Sequence, residues 1–503
     1  MAPAQPNPYQ RASERFALAS KLQAAGMILN WDAQTMMPRG GAFARGEEMA
    51  ALSEVGAELI GSDAAADELA EAEAMAPALE APERADLSEM RRKLAHARAA
   101  PKSLFAAKAR LSQNLQAAWA QARADDDFAT FARGFGQLLP VVRDLAQAKA
   151  EALGLTPYGA LMDEYDPGVG EVMVEAMFAD LAAWLPPLIE DIRERQSRWA
   201  ATIPLPAVPA GAQRALSFRL AEVVGHQVDH FRIDPAPHPF SVPYGPGDVR
   251  FTTRYDPNPR FAISATLHEA GHAMYEFNLP RELAFRPAGL ARGMSVHESQ
   301  SLSVERLIGR SREFLSFLSH LMAELFGPDP AWSHANLVKT WRRLDEGFIR
   351  VEADEVTYPL HIILRFRLER ALLSGDLAVS DIPGAWSDSF QSLLGRVPPD
   401  DRAGSLQDIH WAAGLFGYFP NYAVGSVLGA QFFEAARRDD PGIISALAQG
   451  DLGPYFAWVR PKVHVRASLV DFATLVQEAT GAPLSTAAFK AHLMARYMEE
   501  EAP

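Results

Sequence analysis

Between Phe261 and Phe277 no proline interrupts the chain, and His268 and His272 stand four residues apart. On a helix that spacing puts both on one face, with Cβ atoms roughly 5–6 Å apart. Two imidazole nitrogens so placed can close on one zinc ion at about 2.0–2.1 Å each. Glu269 is turned by about 100° from His268 around a helix of 3.6 residues per turn. It therefore points beside the ion, where a carboxylate can take a proton from water. His268-Glu269-Ala270-Gly271-His272 is the H-E-x-x-H arrangement, whose mechanics are those of a zinc peptidase. The flanks agree with a helix. Asp256-Pro257-Asn258-Pro259 supplies a cap and helix-starting prolines, and Asn278-Leu279-Pro280 ends the ladder. Ala270 and Gly271 carry almost no side chain, so another element can approach the metal closely.

The rest of the composition narrows the options. The 503 residues, 48% of them hydrophobic, can bury a large core. A net charge of −15 argues against a nucleic-acid surface, which needs clustered Lys and Arg. Cysteine is absent, so neither a disulfide nor a thiolate ligand is available, and a metal must be held by His, Asp or Glu. Met1 to Lys21 is polar and lacks an apolar leader core, and no run of eighteen apolar residues suggests a membrane span. A cytoplasmic protein is expected.

The pattern along the chain is mostly helical, with alanine, the best helix former, abundant in the first part. Apolar spacing predicts helices at Tyr9–Met27 and about Arg45–Ile60, separated by a break at Asn30-Trp31-Asp32 and Met36–Gly41. Further helices are expected at Ala64–Met75, Ala81–Arg98, Lys102–Ala122, Asp127–Leu153 and Glu171–Ala200. The acidic stretch between Asp63 and Asp86 reads as a solvated helical hairpin. Ile203–Ala212 is rich in Pro and Ala and is the best place for a subdivision of an otherwise single catalytic unit spanning 1–503. A helix from Gln213 to about Asp229 follows. His226 and His230 on it are also four apart, but no Glu follows the first, and they read as packing residues. The period then changes, and His238–Val242 and Asp248–Tyr255 read as strands leading into the metal helix. Helical pattern resumes over Ser295–Ala323, Ala331–Phe348 and Asp354–Leu373, with shorter pieces to Tyr497. The fold class is mainly α with a small β-sheet beside the metal site.

A catalytic zinc needs a third protein ligand and an open position. Glu298, twenty-six residues after His272, has two readings. In Ser295-Val296-His297-Glu298 it can close a capping box; as a glutamate from a second helix it completes a His₂Glu set. The site's need for a ligand favours the second reading. Glu276, one turn past His272, is the competitor and is better placed to orient a histidine.

Several segments together resemble the carboxypeptidase Taq family of metallocarboxypeptidases, over nearly the whole chain. They are Trp31-Asp32 with Met37-Pro38, His238-Pro239-Phe240, Asp248-x-Arg250-x-Thr252, His268-Glu269-x-x-His272 and His297-Glu298-Ser299-Gln300. Ile349-Arg350-x-x-Ala353-Asp354 and Gly404-x-x-Gln407-Asp408-x-His410-Trp411 complete the set. The resemblance implies a helical, saddle-like subunit with a deep groove, related to neurolysin-type zincins. It also implies a homodimer, one zinc or cobalt ion per subunit, and removal of single residues from peptide C-termini with broad specificity. By position, His268, His272 and Glu298 become the ligands and Glu269 the catalytic carboxylate. Arg350 and Gln407–Trp411 fall near the bound C-terminus, and His238 joins the substrate contacts. The chain departs from the family at Ala467, where His-x-x-Gly is usual, and over Gly225–His230; both departures are expected at the groove ends and dimer surface.

The chemistry expected is metal-activated water with Glu269 as general base and then acid. His410, Tyr418 and Tyr422 are equal candidates for the oxyanion donor. Arg350, with its planar fork, suits a terminal carboxylate, unless Asp354 four residues on holds it in a structural pair. Glu276, His297, Gln407, Asp408 and Asp354 are expected behind these groups. Two rival readings are an endo-acting oligopeptidase and a silent peptide-binding protein that keeps a metal.

Overall fold

The computed structural model describes residues 6–245, 247–344 and 347–499, so Met1–Gln5 of the amino-terminal stretch lie outside it. The first helix, α1 (Pro8–Thr35), opens on Asn7, whose side chain accepts from the Gln10 amide while the Gln10 side chain returns to Asn7. It runs straight through the break expected at Asn30–Asp32. Trp31 is buried there, and Arg45 pairs with Asp32 at 2.8 Å, so tertiary contacts carry the helix on to Thr35. The turn comes only at Met36–Gly41.

Helices α2 (Ala42–Gly61), α3 (Asp63–Ala74) and α4 (Ala81–Arg98) pack against α1. The acidic hairpin is solvated on one face only: Asp63, Asp67, Glu71 and Glu80 are exposed, while the other face packs inward. Leu69, Leu79, Leu87 and Met90 join Tyr9 and Phe16 in a small core. Asp86 is fully buried, accepting from the Tyr9 and Ser13 hydroxyls and the Ala288 amide and pairing with Arg286.

Helices α5 (Lys102–Asp125), α6 (Phe128–Leu153), α7 (Pro157–Asp163) and α8 (Glu171–Ser197) follow. By length and composition α8 could cross a membrane, but Val174, Phe178, Leu181, Leu185, Ile189 and Ile192 are buried in the main core. The stretch expected to subdivide the chain is pinned on both sides. Asn336 clasps the Ile203 backbone through two hydrogen bonds, and the Val208 amide donates to the Pro257 carbonyl. Helix α9 (Ala210–Val224) begins inside that stretch and ends five residues early, at Gly225, whose φ of 112° suits glycine.

The sheet has three strands, β1 (Phe231–Pro235), β2 (Ser241–Gly245) and β3 (Asp248–Thr253), in the order β1-β3-β2. Strand β3 pairs parallel with β1 and antiparallel with β2. His238-Pro239-Phe240 precedes β2 rather than opening it, although Phe240 still exchanges hydrogen bonds with Thr252. Strand β1 was not expected, although Phe231-Arg232-Ile233-Asp234 alternates: it has only five residues and ends on Pro235.

The metal helix α10 (Arg260–Phe277) starts where the Asn258 side chain accepts from the Arg260 amide. The long helix expected over Ser295–Ala323 is three pieces: α11 (Met294–Leu302), a π-helical stretch at Ser303–Ile308, and α12 (Arg312–Phe326), capped by Ser311. Helix α13 covers only His334–Arg342, and α14 begins late, at Tyr358, running to Ser374. Helices α15 (Ile382–Leu394) and α16 (Pro420–Asp439) precede four shorter ones. The site sits where α10, α11 and α16 meet, and glycines make that meeting possible. A Cβ on Gly271 would lie 2.7 Å from the Gln300 carbonyl, and one on Gly425 would lie 2.7 Å from Glu298 Cβ.

Candidate metal centre and substrate cavity

One ligand atom each from His268, His272 and Glu298 lies within 4.8 Å of the others. Glu298 Oε2 stands 3.5 Å from His272 Nε2 and 4.0 Å from His268 Nε2. The capping-box reading of Glu298 is not realised. Helix α11 starts from Gly293, and Asp166, from the loop after α7, accepts from the Ser295 amide and hydroxyl. Glu298 is thereby left facing the histidines.

Each histidine is held through its other nitrogen. His268 Nδ1 lies 3.1 Å from Glu305, and His272 Nδ1 lies 2.6 Å from His297 Nδ1; His297 Nε2 in turn lies 2.8 Å from Glu276. Such partners fix the ring and leave Nε2 free to bind an ion. Glu276 thus meets His297 rather than the three ligand atoms.

The electrostatics suit a cation. Burial opposes a charge on His268, yet Glu298 and Glu305 outweigh it and raise its pKa to about 9; burial carries His272 down to about 4. Burial would raise Glu298, but His268 and His272 keep it below the usual carboxylate range. Two imidazoles and a carboxylate, with Glu305 behind His268, make a donor set that fits a divalent ion. Glu269, buried beside this group, is pushed up to about 7 by desolvation, with Glu298 adding to the effect against the pull of His268.

The centre opens on a cavity of about 660 Å³, lined by His268, Glu269, His272, Glu276, His297, Glu298, Tyr418 and Tyr422 among others. Tyr418 and Tyr422 face it directly. His410 stands behind, 3.3 Å from the Tyr422 hydroxyl, and burial, with Arg350 adding, lowers its pKa to about 3.

Arg350 does not pair as the sequence alternative had it. Its partner is Asp408, at 2.9 Å, which also holds Arg365; Asp354 accepts from the Val356 and Thr357 amides ahead of α14. Gln407 accepts from the Arg350 amide and donates to the Phe348 and Ala403 carbonyls. Arg350 is only 5% exposed and lies behind the Tyr422 ring, 4.8 Å from its centre, rather than on the cavity wall. His238 is exposed and also off that wall, whereas its neighbours Pro239, Phe240 and Ser241 are on it.

A profile of the carboxypeptidase Taq (M32) metallopeptidase family matches residues 11–497. The chain belongs to that family. It is a metal-dependent carboxypeptidase of the M32 kind. It is 36% identical to thermostable carboxypeptidase 1 of Thermus thermophilus over 97% of this chain and 98% of that protein. Among solved structures it is similar to Trypanosoma cruzi metallocarboxypeptidase 1 (TM-score 0.95, 33% identity, 98% and 99% of the two chains). An M32 carboxypeptidase from Deinococcus radiodurans superposes with a TM-score of 0.91 at 29% identity, covering 98% and 99%.

Three residues of this M32 site were missed in the sequence. Glu305, tied to His268, also pairs with Arg310 at 2.7 Å; Arg306, His268 and Arg310 hold its carboxyl well below the usual range against the effect of burial. Its seven-residue spacing from Glu298 was a usable signal, since seven residues bring a helix back to nearly the same face. Asp166 carried no local signal. His464 sits not at a groove end but buried against the centre, 2.9 Å from Gln300 and 3.2 Å from Asn278. His226 is buried too and bonds to the Ala270 carbonyl at 3.0 Å, while His230 bonds to Gly247; both are packing residues.

Proposed function

We propose that this M32 carboxypeptidase removes single residues from peptide C-termini with broad specificity, through an ion held by His268, His272 and Glu298 and proton transfer through Glu269. The observation that carries the reading is the convergence of those three ligand atoms at the wall of a peptide-sized cavity, with the Glu269 carboxyl beside them. A divalent ion bound there polarises the scissile carbonyl and makes water more acidic. Zinc fits the donor set, and cobalt is a workable substitute.

Glu269 takes the proton of the attacking water. A base needs a pKa near the working pH, and burial places Glu269 at about 7. It then returns the proton to the leaving amine. The hydroxyls of Tyr418 and Tyr422 are the donors available to the developing oxyanion, with His410 steadying Tyr422 from behind.

Arg350 reads the free carboxylate in this proposal. Two guanidiniums, Arg350 and Arg365, share the single carboxylate of Asp408, which leaves a positive excess behind Tyr422. Tyr422 must turn aside for a direct contact. A homodimer and a cytoplasmic location complete the reading by kinship with the family, and sedimentation at several concentrations checks the first.

The test is mass spectrometry of one peptide in three forms: free at both ends, blocked at the N-terminus and amidated at the C-terminus. The expected result is a ladder of single-residue losses from the C-terminus in the first two and none in the third. Cleavage at an internal bond of the amidated form overturns the reading in favour of an endopeptidase.

A further inference from the structure

Across the cavity from the metal helix, α4 presents three acidic or basic neighbours in a row of turns: Glu89, Arg92 and Lys93, all on the cavity wall. Arg292, which follows α10, joins them. Their pairing is unequal. Glu89 receives Arg292 at 2.6 Å and Arg92 at 3.2 Å, and Arg92 also reaches Asp163 at 3.3 Å. Asp163 is further engaged by His96 at 2.8 Å. The carboxylates within reach are thus taken. Lys93 has neither an ion pair nor a hydrogen bond among the described residues.

An unpaired ammonium partly withdrawn from bulk water is costly unless something meets it. Lys93 is part-buried, and desolvation, with Arg92 and Arg292 close by, lowers its pKa. Glu89 attracts it but is already committed to the two arginines. Glu164, on the same wall, is paired with Lys149, so the Lys93 ammonium faces the space a peptide fills with no carboxylate of its own. This stands out in a chain whose net charge is −15.

We infer that Lys93 forms a subsite that binds a carboxylate of the peptide lying in the cavity. The inference rests on the proposed peptidase reading, because it needs a peptide there. An ammonium with three free donors and no competing internal acceptor gives a charge-assisted hydrogen bond to such a group. Because Arg350 takes the peptide's terminus in that reading, the carboxylate that meets Lys93 is that of an acidic side chain.

The experiment uses the metal-loaded enzyme, its Lys93→Met variant, which keeps the length of the apolar stem, and Lys93→Arg, which restores a cation. Substrates are N-blocked peptides with a single Glu or Gln moved through the positions before a neutral last residue. The native enzyme is expected to favour Glu over Gln about ten-fold in kcat/KM at one position. In Lys93→Met that ratio falls toward one through loss on the Glu peptide, carried by KM, and Lys93→Arg restores part of it. A Glu-to-Gln ratio near one at every position in the native enzyme, or a ratio that is the same with and without Lys93, overturns the inference. Absence of C-terminal trimming of the Gln peptides by native enzyme refutes the peptidase reading instead, so the two failures are distinct.

Discussion

His272 Nδ1 lies 2.6 Å from His297 Nδ1, and one proton must lie between them. If His272 keeps its Nε2 lone pair for the ion, its Nδ1–H donates to His297, whose Nε2–H then donates to Glu276. A carboxylate at the end of this relay would set the tautomer of His272, the ligand proposed above. His297→Ala should weaken metal affinity by about 10–100-fold. Glu276→Gln keeps an acceptor and should cost less. Competition against a chelator of known affinity measures both, and equal affinity in His297→Ala and the native protein would remove the relay.

Glu269 separates an enzyme from a silent binding protein. Glu269→Gln should retain the metal and lose about 10²–10⁴ in kcat. Elemental analysis beside a peptide assay checks this, and retained activity would contradict the proton-transfer role.

Arg350 predicts a different loss. Arg350→Ala should lower kcat/KM for free-acid peptides by roughly 10–100-fold, the worth of a charge-assisted pair. Amidated peptides, tested as inhibitors, should bind almost as before. Equal loss for both would return Arg350 to a purely structural pair with Asp408.

The metal helix was legible in the sequence because spacing alone fixes which side chains share a helix face. His268, Glu269 and His272 needed only an uninterrupted turn, and Glu298 only a second helix close by. What spacing could not convey was contact from distant segments. Helix α1 passes through Asn30–Asp32 because Trp31 is buried and Arg45 meets Asp32. Asp86 is interior because Tyr9, Ser13, Arg286 and the Ala288 amide converge on it. The capping box was locally well formed, and Asp166 displaced it from more than a hundred residues away. Strand β1 alternates over only Phe231–Asp234 before Pro235, too short a signal by itself, and it pairs along β3.

Ala467 takes φ +43°, a region that L side chains avoid, at the position where the family resemblance expects glycine. Ala467→Gly should therefore stabilise the fold by about 1 kcal/mol, relief of the strained φ outweighing glycine's entropy cost. Thermal melting at fixed metal concentration measures it, and a lowered Tm would show that the strain is not relieved by losing the Cβ.

Asp166 gives a pH prediction. Burial raises its carboxyl from 3.8 to about 7, despite the Ser295 hydrogen bonds. The folded state thus favours the protonated form, so this contribution is whole below about pH 3.8 and is lost as pH rises through about 7. Asp166→Asn keeps a donor and an acceptor for Ser295 without the charge. Its Tm should gain on that of the native protein by a few degrees between pH 5 and 8. A constant difference across that range would contradict the assignment.

The most direct test of the metal centre is the number of zinc ions bound per chain, measured by elemental analysis after stripping and reloading. One ion is expected in the native protein and in Glu269→Gln, and at least a hundred-fold weaker retention, by order of magnitude, in His272→Ala and Glu298→Ala. Full occupancy in Glu298→Ala, or none in the native chain, would contradict a site built from these two helices.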